Sequence, residues 1–182
     1  HVRSRRQRQM CIRDSSDGLA IWDALFELGV TPVGIETYAN SRRLEKSLRL
    51  QNADLETEYN LYEAGLARPK VKAADFHGKE AYVQQRELDE QAAYLCTFIL
   101  QDTTDSKGIV RSPVGNWPIL DPESKEVIID SHGRRSYTTS MAFGPSLGVN
   151  VAMGYLPADK AKEGDTVLIE YFGEHYEAKV LD

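Results

Sequence analysis

The sequence predicts an α+β chain, with helices in its first half and an antiparallel, jelly-roll-like β-barrel in its second. Three observations lead there. Up to about residue 88 the apolar residues recur at helical spacing, as in Ile21, Leu25 and Leu28. After Asp89-Glu90-Gln91 the period falls to two, and six short runs read as strands separated by turn residues. In the stretch Tyr137 to Tyr155, Val151, Met153 and Tyr155 alternate with Asn150, Ala152 and Gly154. The second set makes a face of small residues, which lets another backbone come close, as the corners of a small barrel require.

In order along the chain, Asp17 is a plausible cap for a first helix that carries the Trp22 and Phe26 stripe, read as core, and ends at Gly29. Thr31 to Ile35 reads as a short strand. Thr37 can cap a second helix running to about Leu48, with Arg42, Arg43, Glu45 and Lys46 on it. A polar stretch, Gln51 to Asn60, precedes Leu61-Tyr62-Glu63-Ala64-Gly65-Leu66. Asp75 opens a third helix with Phe76, Ala81, Tyr82 and Leu88 as its apolar positions. The predicted strands are Tyr94 to Leu100, Val127 to Ile129, Tyr137 to Thr139, Val149 to Tyr155, Thr166 to Tyr171 and Tyr176 to Leu181. Gly144-Pro145 makes a corner, Asp121-Pro122 starts a turn, and Gly173-Glu174 suits a two-residue hairpin turn with Gly first.

The first residues read differently from the rest. Arg5 to Asp14 reverse-translates into a reading frame of the transposase mosaic end and adapter used in library preparation, so residues 1–15 are expected to be a non-native tail. A transit peptide or a basic arm would need only composition, whereas the adapter accounts for ten consecutive residues in order. The first fourteen residues carry five Arg and one Asp, a net of +4 in a chain of −6, so the remainder carries −10. That balance offers no clustered positive stripe for phosphates, and no nucleic-acid partner is expected. No apolar run approaches the roughly 18 residues of a membrane span. Outside the tail the only cysteine is Cys96, in the apolar run Tyr94 to Leu100, which reads as a buried structural thiol. The chain is expected to be cytoplasmic, or in the mitochondrial matrix if eukaryotic.

Four blocks, taken together and in order, resemble the aminomethyltransferase family, whose type member is the T-protein of the glycine cleavage system. They are Thr31-Pro32-Val33-Gly34-Ile35, Asn40-Ser41-Arg42-Arg43-Leu44-Glu45-Lys46, Glu63-Ala64-Gly65-Leu66 with Asp75-Phe76-His77-Gly78-Lys79-Glu80-Ala81, and Thr138 to Tyr155 followed by Gly164 to Val180. The Asn-Ser pair and the Glu-Lys ending are most similar to the folate domains of dimethylglycine and sarcosine dehydrogenases. The resemblance implies that residues 16–90 are the tail of an α/β folate-binding core and residues 91–182 the family's C-terminal barrel. It implies tetrahydrofolate as cofactor, a one-carbon donor as co-substrate and a lipoyl carrier protein or a fused dehydrogenase domain as partner. FAD is implied only with such a domain. The family's catalytic aspartate falls upstream of Ser16, so the chain alone is expected to be inactive.

Tetrahydrofolate needs aromatic walls for its rings and a cation for its anionic tail. The candidate walls are Tyr38, Tyr62 and Trp117, and the candidate cations are Arg43, Arg68 and Lys70; Arg is the better carboxylate clamp because its planar fork donates two parallel hydrogen bonds. Against these stand plainer roles: Arg43 paired on a helix surface with Glu36 or Glu45, and Trp117 as an anchor before Pro118-Ile119-Leu120. Two family residues that approach folate differ here. An arginine is replaced by Ala39 and a tryptophan by Arg68, which leaves three readings: the cation has moved to Arg68, folate is held differently, or a different acceptor is used. His77, His132 and His175 show no metal spacing and read as loop residues, as does Asp102-Thr103-Thr104-Asp105. Other readings are a tetrahydrofolate-dependent demethylase and a folate-binding iron–sulphur assembly factor. The second is disfavoured because no cysteine occurs in Asp75 to Glu80.

Overall fold

The computed structural model describes residues 17–88 and 90–181. The stretch expected to be a non-native tail, residues 1–15, lies outside the described residues. The chain divides into two units, one ending at Gly34 and the other beginning at Ile35.

In the first unit, helix α1 spans Gly18–Glu27. Gly29 follows it with φ +76, and its N–H bonds to Phe26 O at 2.9 Å, the left-handed stop that its sequence position predicts. The Trp22 and Phe26 rings lie 4.9 Å apart. They are not core as expected: Trp22 is 54% exposed and no residue of α1 is buried. Among the described residues of this unit no second layer faces the helix, so the rings shield only each other. Thr31 to Ile35 is not a strand; no strand pairs with it, and Pro32 removes a donor.

The second unit is built on six antiparallel strands. They are β1 (Tyr94–Leu100), β2 (Ile119–Leu120), β3 (Thr138–Gly144), β4 (Val149–Leu156), β5 (Thr166–Tyr171) and β6 (Glu174–Val180), in the order β2-β5-β6-β1-β4-β3. The two ends of that order meet. Pro118 bridges Tyr137, Ile119 N donates to Ser136 O at 3.0 Å, and Thr138 N donates to Trp117 O at 2.8 Å, which closes the ring. Closure leaves no long free edge. The interior holds Cys96, Phe98, Leu100, Ile119, Met141, Ala152, Val167, Ile169 and Ala178, the inward-facing residues of the alternation. Gly154 has no room for a methyl group: a Cβ there would stand 2.5 Å from Tyr137 O and 2.9 Å from Ile119 Cδ1. The small face read from the sequence is therefore the place where β4 and β3 lie closest to the β2 side.

Three strand-level expectations change. Val127 to Ile129 makes only bridges, Leu120 to Val127 and Ile129 to Arg135, because tight Asp-centred turns at Asp121 and Asp130 leave three residues between them. Strand β2 is short and went unread. The β5–β6 turn centres on Phe172 (φ +52) and Gly173 (φ +78), so it is a type I′ turn with Phe first. The Asp102 to Asp105 loop is not simply solvated. Asp105 is buried, accepts from Ile109 N and Lys107 N at 2.9 Å each, and pairs with Arg111.

Residues 35–66 lie against the outer face of β1 and β4, where Leu44, Ala93, Leu95, Val151, Met153 and Tyr155 form a second core. The second helix begins at residue 35 and contains a π-helical turn, Thr37–Arg42, so Thr37 is inside it and does not cap it. It stops early. Ser47 adopts φ +50, with Ser47 N bonded to Leu44 O and Leu48 N to Arg43 O, both at 2.9 Å, a Schellman closure. Helix α2 spans Lys79–Arg86 and starts four residues later than Asp75, because Gly78 sits at φ +84.

Candidate functional site

A cup of about 360 Å³ opens between the turn 60–66, the connection that follows it and α2. Its apolar wall is Leu61, Leu66, Val71, Phe76 and Tyr82, and its rim carries Arg68, Lys70 and Lys72. Local hydrogen bonds fix this geometry. Tyr82 Oη accepts from Arg68 N at 2.9 Å and lies 3.2 Å from Arg68 O. Arg86 donates to Pro69 O at 2.7 Å, and Lys79 Nζ to Ala73 O at 3.0 Å. The backbone of the cationic stretch is thus pinned to α2, while the side chains of Arg68, Lys70 and Lys72 have no hydrogen bond or ion pair among the described residues. Three unpaired cations beside an aromatic wall, in a chain of net negative charge, suit a planar ligand that bears an anion.

Tyr62 stands behind this wall, its ring stacked on Tyr82 at 5.1 Å. Burial, and then the neighbouring Tyr82 hydroxyl, raise its phenol above the usual range. The other candidates lie elsewhere. Arg43 is buried: Nε donates to Ala39 O at 2.7 Å, Nη2 to Ser140 Oγ at 2.5 Å, and Nη1 pairs with Asp54. Its carboxylate is therefore Asp54, not Glu36, which holds Asn40, nor Glu45, which pairs with Arg42. Tyr38 is 60% exposed on the π-helical turn. Trp117 packs on Tyr171 at 4.8 Å and Phe172 at 5.1 Å beside the barrel closure, which is the anchoring role. His77, His132 and His175 are exposed, and no metal-holding cluster occurs among the described residues.

Sequence reasoning missed two buried polar nodes. Asp54, wholly buried, gathers Arg43, Leu50 N, Thr139 and Ser140, while its carbonyl accepts from Tyr155 Oη at 2.7 Å. Arg134 reaches Glu63 Oε1 at 2.5 Å and Asp130 Oδ2 at 2.6 Å, with its guanidinium 4.3 Å from the Tyr59 ring centroid. Burial alone would lower the Arg134 pKa, but the two carboxylates outweigh it and raise it. Tyr59 stacks in parallel on Tyr155 at 3.5 Å, and burial holds both phenols well above their usual range. Phe76 and Tyr82 carried a signal, since both were read as apolar positions of the third helix. Their use as a wall depends on Gly78, whose left-handed backbone starts the helix late and leaves Phe76 outside the helix that carries Tyr82.

Comparison with known proteins locates this architecture. Residues 116–182 match the glycine cleavage T-protein C-terminal barrel domain. The chain is 29% identical over 173 residues to an aminomethyltransferase of Koribacter versatilis, covering 92% of this chain and 41% of that protein. It is 29% identical over 171 residues to the mitochondrial dimethylglycine dehydrogenase of Homo sapiens, covering 91% and 18%. The crystal structure of the glycine cleavage system aminomethyltransferase T from Bartonella henselae superposes with a TM-score of 0.62 at 24% identity, over 79% of this chain and 36% of that one, a likeness of fold. The chain spans about two fifths of the length of the curated aminomethyltransferases it matches. Residues 116–182 are thus a glycine cleavage T-protein C-terminal barrel domain, and the resemblance to the C-terminal part of the aminomethyltransferase family runs along the chain.

Proposed function

We propose that this chain is part of a tetrahydrofolate-dependent aminomethyl transferase and that its cup receives the aminobenzoyl-glutamate end of the folate. The observation that carries the reading is the set of unpaired cations Arg68, Lys70 and Lys72 on the rim of a cup walled by Phe76 and Tyr82. Phe76 and Tyr82, edge-on to each other at 6.4 Å, would form one wall for an aromatic ring, and Arg68 would clamp the carboxylate. Folate supplies the nitrogen that accepts the one-carbon unit. These residues bind and orient it and exclude water around its ring, and the proton-handling acid is assigned to the upstream part of the protein. The donor would come from a lipoyl carrier protein.

A second reading, the folate domain of a flavin-dependent dehydrogenase of N-methylated glycines, is favoured by the equal identity to dimethylglycine dehydrogenase. FAD in the purified full-length protein would decide for it. The binding test is common to both. Arg68→Ala in the full-length protein is expected to weaken tetrahydrofolate binding about tenfold, consistent with loss of one charge-assisted hydrogen-bonded contact. Unchanged affinity by titration calorimetry overturns the placement.

A further inference from the structure

We infer that Arg134 is a positioning residue for the cup and acts on it through Glu63. This rests on the folate reading above. Leu61 and Leu66, one wall of the cup, stand on the turn 60–66, and Glu63 lies between them as the only charged residue of that turn. The turn is also closed by its own groups, with Ala64 N on Asn60 O at 3.0 Å, Leu66 N on Leu61 O at 2.8 Å and Asn60 Oδ1 accepting from Tyr62 N and Glu63 N, and it is tied outward by Arg49 Nε to Ala64 O and Asn60 Nδ2 to Gln91 Oε1, both at 3.0 Å. The Glu63 side chain is 2% exposed. Its carboxylate is met by Arg134 on both oxygens, at 2.5 and 3.4 Å, and by Asn60 N at 2.8 Å. Arg134 also holds Glu58 O at 2.5 Å and rests on Tyr59, so one guanidinium joins the barrel loop 130–134 to the segment just before the cup. The only other hydrogen bond between Glu63 and the barrel among the described residues is from Leu95 N to Glu63 O, at 2.8 Å.

Without Arg134 the Glu63 carboxylate would be buried with one backbone donor. A buried unpaired carboxylate must either take up a proton or reach water, and the inference is that at neutral pH the turn rotates to expose it. Leu61 and Leu66 would move with it, and the wall of the cup would shift while the barrel interior stayed intact. A glutamine at position 63 has no charge to expose and would let the turn stay where it is even without Arg134.

The test uses the full-length protein, with tetrahydrofolate affinity by calorimetry and global stability by urea denaturation. Arg134→Met is expected to weaken tetrahydrofolate about tenfold, the size of effect that packed positioning networks command. The double variant Glu63→Gln/Arg134→Met should recover most of that loss, a rescue that general destabilisation would not produce. Should Arg134→Met fail to fold, Arg134→Lys decides, with an expected loss of about threefold, because a single ammonium cannot meet both Glu63 oxygens. Wild-type affinity in Arg134→Met, or no rescue in the double variant, overturns the inference, as does wild-type affinity in Arg134→Lys where that variant decides. Failure of the wild-type protein to bind tetrahydrofolate overturns the folate reading itself, and is recognised because it needs no substitution.

Discussion

Inside the barrel, Phe98, Leu100, Ile119 and Ile169 are wholly buried among apolar neighbours, whereas the layer on its outer face is fastened by the Arg43–Asp54 pair, which bonds Thr139 and Ser140, and by Arg134 to Glu63. The two regions tolerate change in different ways. Apolar burial is diffuse, so the barrel loses stability in proportion to the volume removed. A buried ion pair depends on both members, and losing one leaves the other with the full desolvation cost. The difference teaches where specificity sits: the barrel supplies a rigid surface, and a few charged groups decide how residues 35–66 lie on it.

The largest expected effect is in the barrel. Phe98→Ala should cost about 4 kcal/mol, measured by urea denaturation, because it empties the most buried large site of the ring. Arg43→Met should cost about 3 kcal/mol by stranding Asp54, and Arg43→Met/Asp54→Leu should be less harmful than the two single changes added together. Additive costs there would mean that the two residues do not act as a unit. The smallest effect lies at the barrel's rim. The hydrogen bond from Lys160, then those from Ser124 N and Glu123 N, hold the Asp121 carboxyl down to about 2 from 3.8. A depressed folded-state pKa contributes stability above the ordinary value and loses it as pH falls toward about 2. Acid titrations followed by circular dichroism should show Asp121→Asn flattening the stability loss in that window. An unchanged acid limb would show that the Lys160 contact contributes nothing.

The same contrast explains what the sequence discloses. Strands β1, β4, β5 and β6 are legible because alternation is written in every second residue. The small face at Gly154 is legible because only a missing side chain permits that approach. Strand β2 has two residues, too few for a period, and Phe172 takes a left-handed turn position that its side chain does not advertise. The polar nodes are silent for another reason. Asp54 lies in a stretch that looks solvated, and its partners Thr139 and Ser140 are far from it in sequence. Periodicity cannot show a contact between residues 85 positions apart. Of the candidate site, Arg68 and Lys70 were named from the sequence. Phe76 and Tyr82 were seen only as helix positions, and Lys72 went unread.

Trp117 stands where the ring of strands joins, edge-on to Tyr171, and the chain has only one other indole, Trp22. Replacing Trp22 by Phe would leave a single emitter at that seam. Its fluorescence would then report opening of the cylinder directly, a native optical gauge that requires no added label.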